Sequence, residues 1–135
     1  MQMPIEMTFP LWGLAILILW AIVLVIALLI TRIRHLSAGG TIKDFGTPND
    51  ESLLWRLLRA HSNLIENLTL YAGVVFLLTW RAVSGTAVDL LIVAYTGFRI
   101  LHSVIHIARI DPIFRLLCLA IQLGCLVALT GLAVF

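Results

Sequence analysis

Eight polar or ionisable residues sit inside two long apolar stretches of this 135-residue chain. Arg56, Arg59, Asn63 and Glu66 lie in one, and Arg99, His102, Ser103 and His106 in another. At about 100° per helical residue the first four fall within an arc of roughly 80°. Tyr95, Arg99, His102, Ser103, His106 and Arg109 cluster on one side in the same way, and Arg115, Leu119 and Gln122 share a face of a later stretch. His61 points away from its stripe. Guanidinium groups recognise carboxylates through paired hydrogen bonds. One glutamate and one amide suit an ammonium or peptide group on the same ligand. The pattern therefore describes a small zwitterion with excess negative charge. A second reading is an internal ion-pair network, with Glu66 on Arg59 or Arg99, although one glutamate cannot neutralise so many arginines in a low-dielectric site. His102 and His106 also have the H-x-x-x-H spacing of a metal or haem pair. A metal would need a third ligand such as Glu66, and the arginines would repel it, so no metal site is expected. Ser103 fits a small residue packed between membrane helices.

The elements that must hold these side chains read as membrane helices. Hydrophobic residues make up 61% of the chain and charged ones 12%, about half the charge of an ordinary soluble domain, and the mean hydropathy is +1.08. A net charge of +2, thinly spread, gives no basic face for nucleic acid. Four apolar stretches, about 10–31, 53–80, 86–107 and 112–135, are each long enough to cross a hydrocarbon core of about 30 Å. Unbroken runs of this length satisfy their backbone groups in lipid as helices. The first is longer than a signal-peptide core and has no basic residue ahead of it, so it reads as a retained helix. The expectation is an all-α, integral membrane, up-down-up-down four-helix bundle in one unit spanning 1–135. Residues 32–52 read as a polar loop in which Asn49, Asp50 and Ser52 are candidate helix caps. Residues 81–85 and 108–111 read as tight turns, the latter with Asp111 as cap and Pro112 in the first helical position. Arg32, Arg34, Lys43, Arg56, Arg109 and Arg115 gather at one side and only Arg81 at the other. The positive-inside rule then makes the basic loops cytoplasmic and both termini non-cytoplasmic. Trp12, Trp20, Trp55 and Trp80 read as interfacial anchors. Cys118 and Cys125 share a face of the fourth helix, cannot bridge each other within it, and read as buried free thiols.

All the stripes are densest toward the basic side. There the residues resemble a known family. The R-x-x-x-N-x-x-E segment Arg59-Ala60-His61-Ser62-Asn63-Leu64-Ile65-Glu66 looks like the signature of the MAPEG family, membrane-associated proteins in eicosanoid and glutathione metabolism. Phe98-Arg99-Ile100-Leu101-His102-Ser103 is similar to its G-R-x-x-H-[ST] segment. Arg115 follows the third loop where the family places a thiol-contacting arginine, and Arg32-Ile33-Arg34 matches the basic end of its first helix. The resemblance covers essentially the whole chain. It implies a homotrimer in the lipid bilayer with glutathione held between subunits near the cytoplasmic side. Arg59, Asn63 and Glu66 would hold the tripeptide's polar ends, and Arg99, His102 and His106 would line the facing wall. Arg32 would sit at the edge, and Arg115 would face the sulfur as thiolate stabiliser. The implied reaction is conjugation or reduction of a hydrophobic electrophile or hydroperoxide. Two positions depart from the pattern: several relatives carry tyrosine where His106 stands, and some carry arginine where Ser62 stands. A non-catalytic binding or scaffold relative, a small four-helix transporter and a haem protein are the other readings.

Overall fold

The computed structural model describes residues 5–135; residues 1–4, the start of the expected unit, lie outside it. Four helices follow one another: α1 (Phe9–Ser37), α2 (Leu53–Trp80), α3 (Thr86–Ile107) and α4 (Pro112–Val134), with a short 3-10 turn, η1 (Ile42–Gly46), between the first two. All four are long and apolar enough to span a membrane, and the chain is an all-α, multi-pass integral membrane protein. α2 and α3 form the middle pair, with α1 packed across them on one side and α4 on the other. Leu17, Leu64, Leu78, Ile92 and Leu129 meet in the interior. Lipid tails are as apolar as these side chains, so close packing and dispersion hold the helices together more than exclusion of water does.

The first helix continues six residues past the expected boundary at 31. The chain turns polar at Arg32, but arginine is a good helix former and basic residues suit a helix C-terminus. The edge of the apolar run marks the edge of the membrane and not the end of the helix. Arg32 and Arg34 therefore stand on α1 and not in a loop. The helix stops at Ala38, and Gly39 takes φ +90°, a conformation that favours glycine.

Polar side chains fasten the helix ends. Arg56 on α2 donates to the carbonyls of Ile107, Asp50 and Glu51, satisfying the C-terminus of α3 and tying down the segment before α2. At the opposite end Arg81 donates to the carbonyls of Ala133 and Val134 at the close of α4. Such carbonyls have no partner within their own helix. Asp111 caps α4 by accepting from the Ile113 amide at 2.9 Å, with Pro112 in the first turn. In the middle, Tyr71 and Tyr95 stack with centroids 4.8 Å apart, and Tyr71 donates to the carbonyl of Pro10 at 3.0 Å. Gly13 permits that approach, because a β-carbon there would collide with the Tyr71 hydroxyl. Cys118 and Cys125 are buried free thiols.

Candidate functional site

The helix ends next to η1 converge on a cavity of about 580 Å³, within the range of small-molecule sites. Trp55, Arg59 and Asn63 line it from α2, His102 and His106 from α3, and Pro112, Arg115, Leu116 and Leu119 from α4. Pro48 and Asp50 close one side from the segment before α2. Trp55, Arg59 and Asn63 repeat every four positions and so present one face of α2 to the cavity.

Behind the wall lies Arg99, fully buried. Its Nη1 donates to Gln122 Oε1 at 2.9 Å, and its Nη2 to Asn63 Oδ1 at 2.6 Å and to His102 Nδ1 at 2.9 Å. None of these partners is a carboxylate, and among the described residues no ion pair reaches this arginine. Its Nε has no hydrogen-bond partner among the described residues. A buried cation held only by neutral acceptors leaves its charge uncompensated. Arg59 lies over the Trp55 ring, 5.9 Å from its centroid, and Arg115 Nη1 donates to His106 Nδ1. The cavity is thus a region of positive potential whose one acidic wall residue is Asp50.

Arg59, Asn63, His102, His106 and Arg115 come together as the sequence suggests, and Arg99 stands one layer behind them. Glu66 and Arg32 do not join them within the chain. Glu66 is exposed about halfway along α2, with no ion pair among the described residues. Arg32 lies on the α1 side of α2, over the Phe45 ring at 5.2 Å, with His61 within range of its charge. Arg56 is a clamp and not a wall residue. Ser103 is buried and bonds back to the Arg99 carbonyl at 3.4 Å. His102 and His106 each accept from an arginine at Nδ1, and among the described residues no three His, Cys, Asp or Glu side chains are grouped to hold a metal.

Three participants were not anticipated in these roles. Trp55 reads as an interfacial anchor yet forms part of the wall, although its position four residues before Arg59 places it near the same face. Asp50 reads only as a candidate cap. Gln122 shares the Arg115 face, but its bond to Arg99 joins two helices, which spacing within one helix cannot reveal.

A polytopic four-helix membrane protein with an arginine- and histidine-lined pocket at one end is the class that this fold and site define. The profile of the MAPEG family matches residues 10–135, and the chain belongs to that family of glutathione-related membrane enzymes. No curated protein and no solved structure matches it.

Proposed function

We propose that the pocket binds glutathione and that Arg115 stabilises its thiolate for attack on a hydrophobic electrophile or hydroperoxide. One observation carries the reading: two arginines, one amide and two histidines line a cavity with a single carboxylate on its wall, and a third arginine, Arg99, is bonded to that amide from behind. That donor set fits a ligand with two carboxylates, several carbonyls and one ammonium. Arg59 and Arg115 take carboxylate or thiolate, Arg99 adds charge from behind, and Asp50 takes the ammonium role expected of Glu66. Bound glutathione supplies a nucleophilic sulfur. An ordinary free thiol loses its proton near pH 8.5, and a guanidinium beside it favours the thiolate while keeping its own charge. Leu116 and Leu119 give that side of the cavity an apolar wall for a substrate arriving from lipid.

The working unit is a homotrimer, as the family resemblance implies. Support comes from α2, where Arg59, Ser62, Glu66, Thr69, Gly73, Phe76 and Trp80 repeat with alternating three- and four-residue spacing. All but the half-buried Ser62 are exposed. That spacing matches a helix seam that packs on another helix, and a glutamate left against lipid would cost roughly 2.5–3.5 kcal/mol. A neighbouring subunit would cover Glu66 and bring its own Arg32 to the pocket edge. The end bearing Arg32, Arg34, Lys43, Arg109 and Arg115 faces the cytoplasm by the positive-inside rule.

The test is binding of glutathione to the purified protein by calorimetry, alongside turnover of a soluble test electrophile. Saturable binding that weakens about tenfold or more in Asn63→Ala, with glutathione-dependent turnover, is expected. Absence of binding by the folded wild-type protein overturns the reading.

A further inference from the structure

Every histidine nitrogen that meets an arginine here is obliged to accept, since arginine has only donors. Arg99 Nη2 donates to His102 Nδ1 at 2.9 Å, so the ring proton of His102 is on Nε2. The same Arg99 nitrogen donates to Asn63 Oδ1, and the amide of Asn67 also reaches Asn63 Oδ1, at 3.3 Å. The oxygen of Asn63 is therefore taken from behind, and its NH₂ group is the part free to meet a ligand. Both orientations depend on where Arg99 sits.

Gln122 settles that position. It is fully buried. Its Nε2 donates to the Phe98 carbonyl at 3.1 Å, which fixes which end of the amide is oxygen, and its Oε1 then accepts from Arg99 Nη1 at 2.9 Å. We infer that Gln122 is a positioning residue: through Arg99 it sets Asn63 and His102 as hydrogen-bond donors toward the pocket, so that the site selects ligands built of acceptors. This role rests on the reading of the pocket as an anion site, but the state it predicts for His102 exists without ligand. A glutamine used only to fill the α3–α4 seam would not decide which ring nitrogen of His102 carries the proton.

The experiment is two-dimensional ¹H–¹⁵N spectroscopy of the imidazoles in detergent-solubilised, ¹⁵N-histidine-labelled protein, with His102 assigned from its missing signals in His102→Gln. In the wild type, His102 should show a single Nε2–H tautomer. In Gln122→Met, which keeps the length and removes both hydrogen bonds, that signal should move toward a mixture of tautomers. Glutathione affinity, read by calorimetry, should fall about tenfold, with little change in turnover at saturating thiol. A wild-type His102 protonated on Nδ1, or a tautomer unchanged in a folded Gln122→Met protein, overturns the inference. If Gln122→Met does not fold, Gln122→Asn takes its place, since the shorter amide loses the Arg99 bond, and an unchanged tautomer in that protein overturns the inference. If the tautomer behaves as stated and glutathione does not bind, the positioning role stands and the glutathione assignment fails.

Discussion

Arg115 on α4 donates from Nη1 to Nδ1 of His106 on α3, so the cation proposed to face the thiol is itself oriented by an imidazole on the facing helix. An arginine has five donors in a fixed fork, and using one of them on His106 leaves the others to point into the cavity. In place of the tyrosine that the family resemblance implies, this chain has a nitrogen acceptor, and the pair links the two helices in the pocket wall.

Arg115→Ala removes the permanent charge proposed to stand beside the thiol sulfur. Glutathione-dependent turnover of a soluble electrophile should fall about 100-fold, comparable to the loss of one preorganised donor at a developing anion. Steady-state kinetics on wild type and variant checks this. Unchanged turnover would remove Arg115 from the role.

Arg56 makes three hydrogen bonds to backbone carbonyls from two parts of the chain. Arg56→Ala leaves the end of α3 and the segment carrying Asp50 without those donors. Hydrogen bonds to charged groups contribute about 1.5–3 kcal/mol each, and part of that is recovered by solvent at this edge of the protein. A loss of about 2 kcal/mol in detergent-denaturation midpoint experiments is expected, together with faster proteolysis of residues 47–52. Arg56→Lys keeps the charge but not the fork, and should restore little of the stability.

The spacing of Arg59 with Asn63, and of His102 with His106, puts each pair on one face of its helix, because helical periodicity fixes which residues share a face, whereas the packing of α2, α3 and α4 turns those faces and Arg115 to one cavity. Spacing could not separate Asn63 from Glu66. The two lie about 60° apart on α2, and only the packing of α3 and α4 decides that one is covered and the other left outside. Asp50 was illegible for a different reason: it sits in irregular chain, where no period relates a residue to its surroundings. The four-helix class was plain from the apolar runs, whereas the end of α1 was not, since a helix leaving the membrane changes composition without changing conformation. The Gln122–Arg99 bond joins residues on different helices, and nothing in either helix alone marks it.

The loop that leads to Asp50 has its own acid-sensitive latch. Asp44 accepts from the Thr41 amide at 2.9 Å and pairs with His35 at 2.8 Å. The amide first, and then the His35 contact, hold its carboxyl below the usual value. A depressed folded-state value means that the anchoring of η1 is complete above the ordinary carboxylate range, near pH 4, and is lost as pH falls through the lowered value. Hydrogen exchange at the Thr41 amide should therefore show protection near neutrality that disappears in acid, after correction for the intrinsic pH dependence. Asp44→Asn should abolish that pH dependence, and persistence of the transition in the variant would assign it to another group.

Gly73 and Thr69 test whether the exposed face of α2 meets protein or lipid. Both are exposed, on the same three-and-four-residue seam as Glu66. Against lipid, a leucine at either position is neutral or favourable, since hydrocarbon accommodates it and glycine is a poor helix former. Against a second α2 helix it prevents the close approach that small residues allow. Gly73→Leu and Thr69→Leu should therefore convert the proposed trimer into monomers, read as mass by light scattering or native mass spectrometry in mild detergent, while leaving helix content by circular dichroism unchanged. Glutathione binding should weaken with dissociation, because the pocket would lose Arg32 of the neighbouring subunit. A wild-type trimer that survives both substitutions would place α2 against lipid, leave Glu66 without a partner in the assembly, and require the trimer contact to lie on another helix.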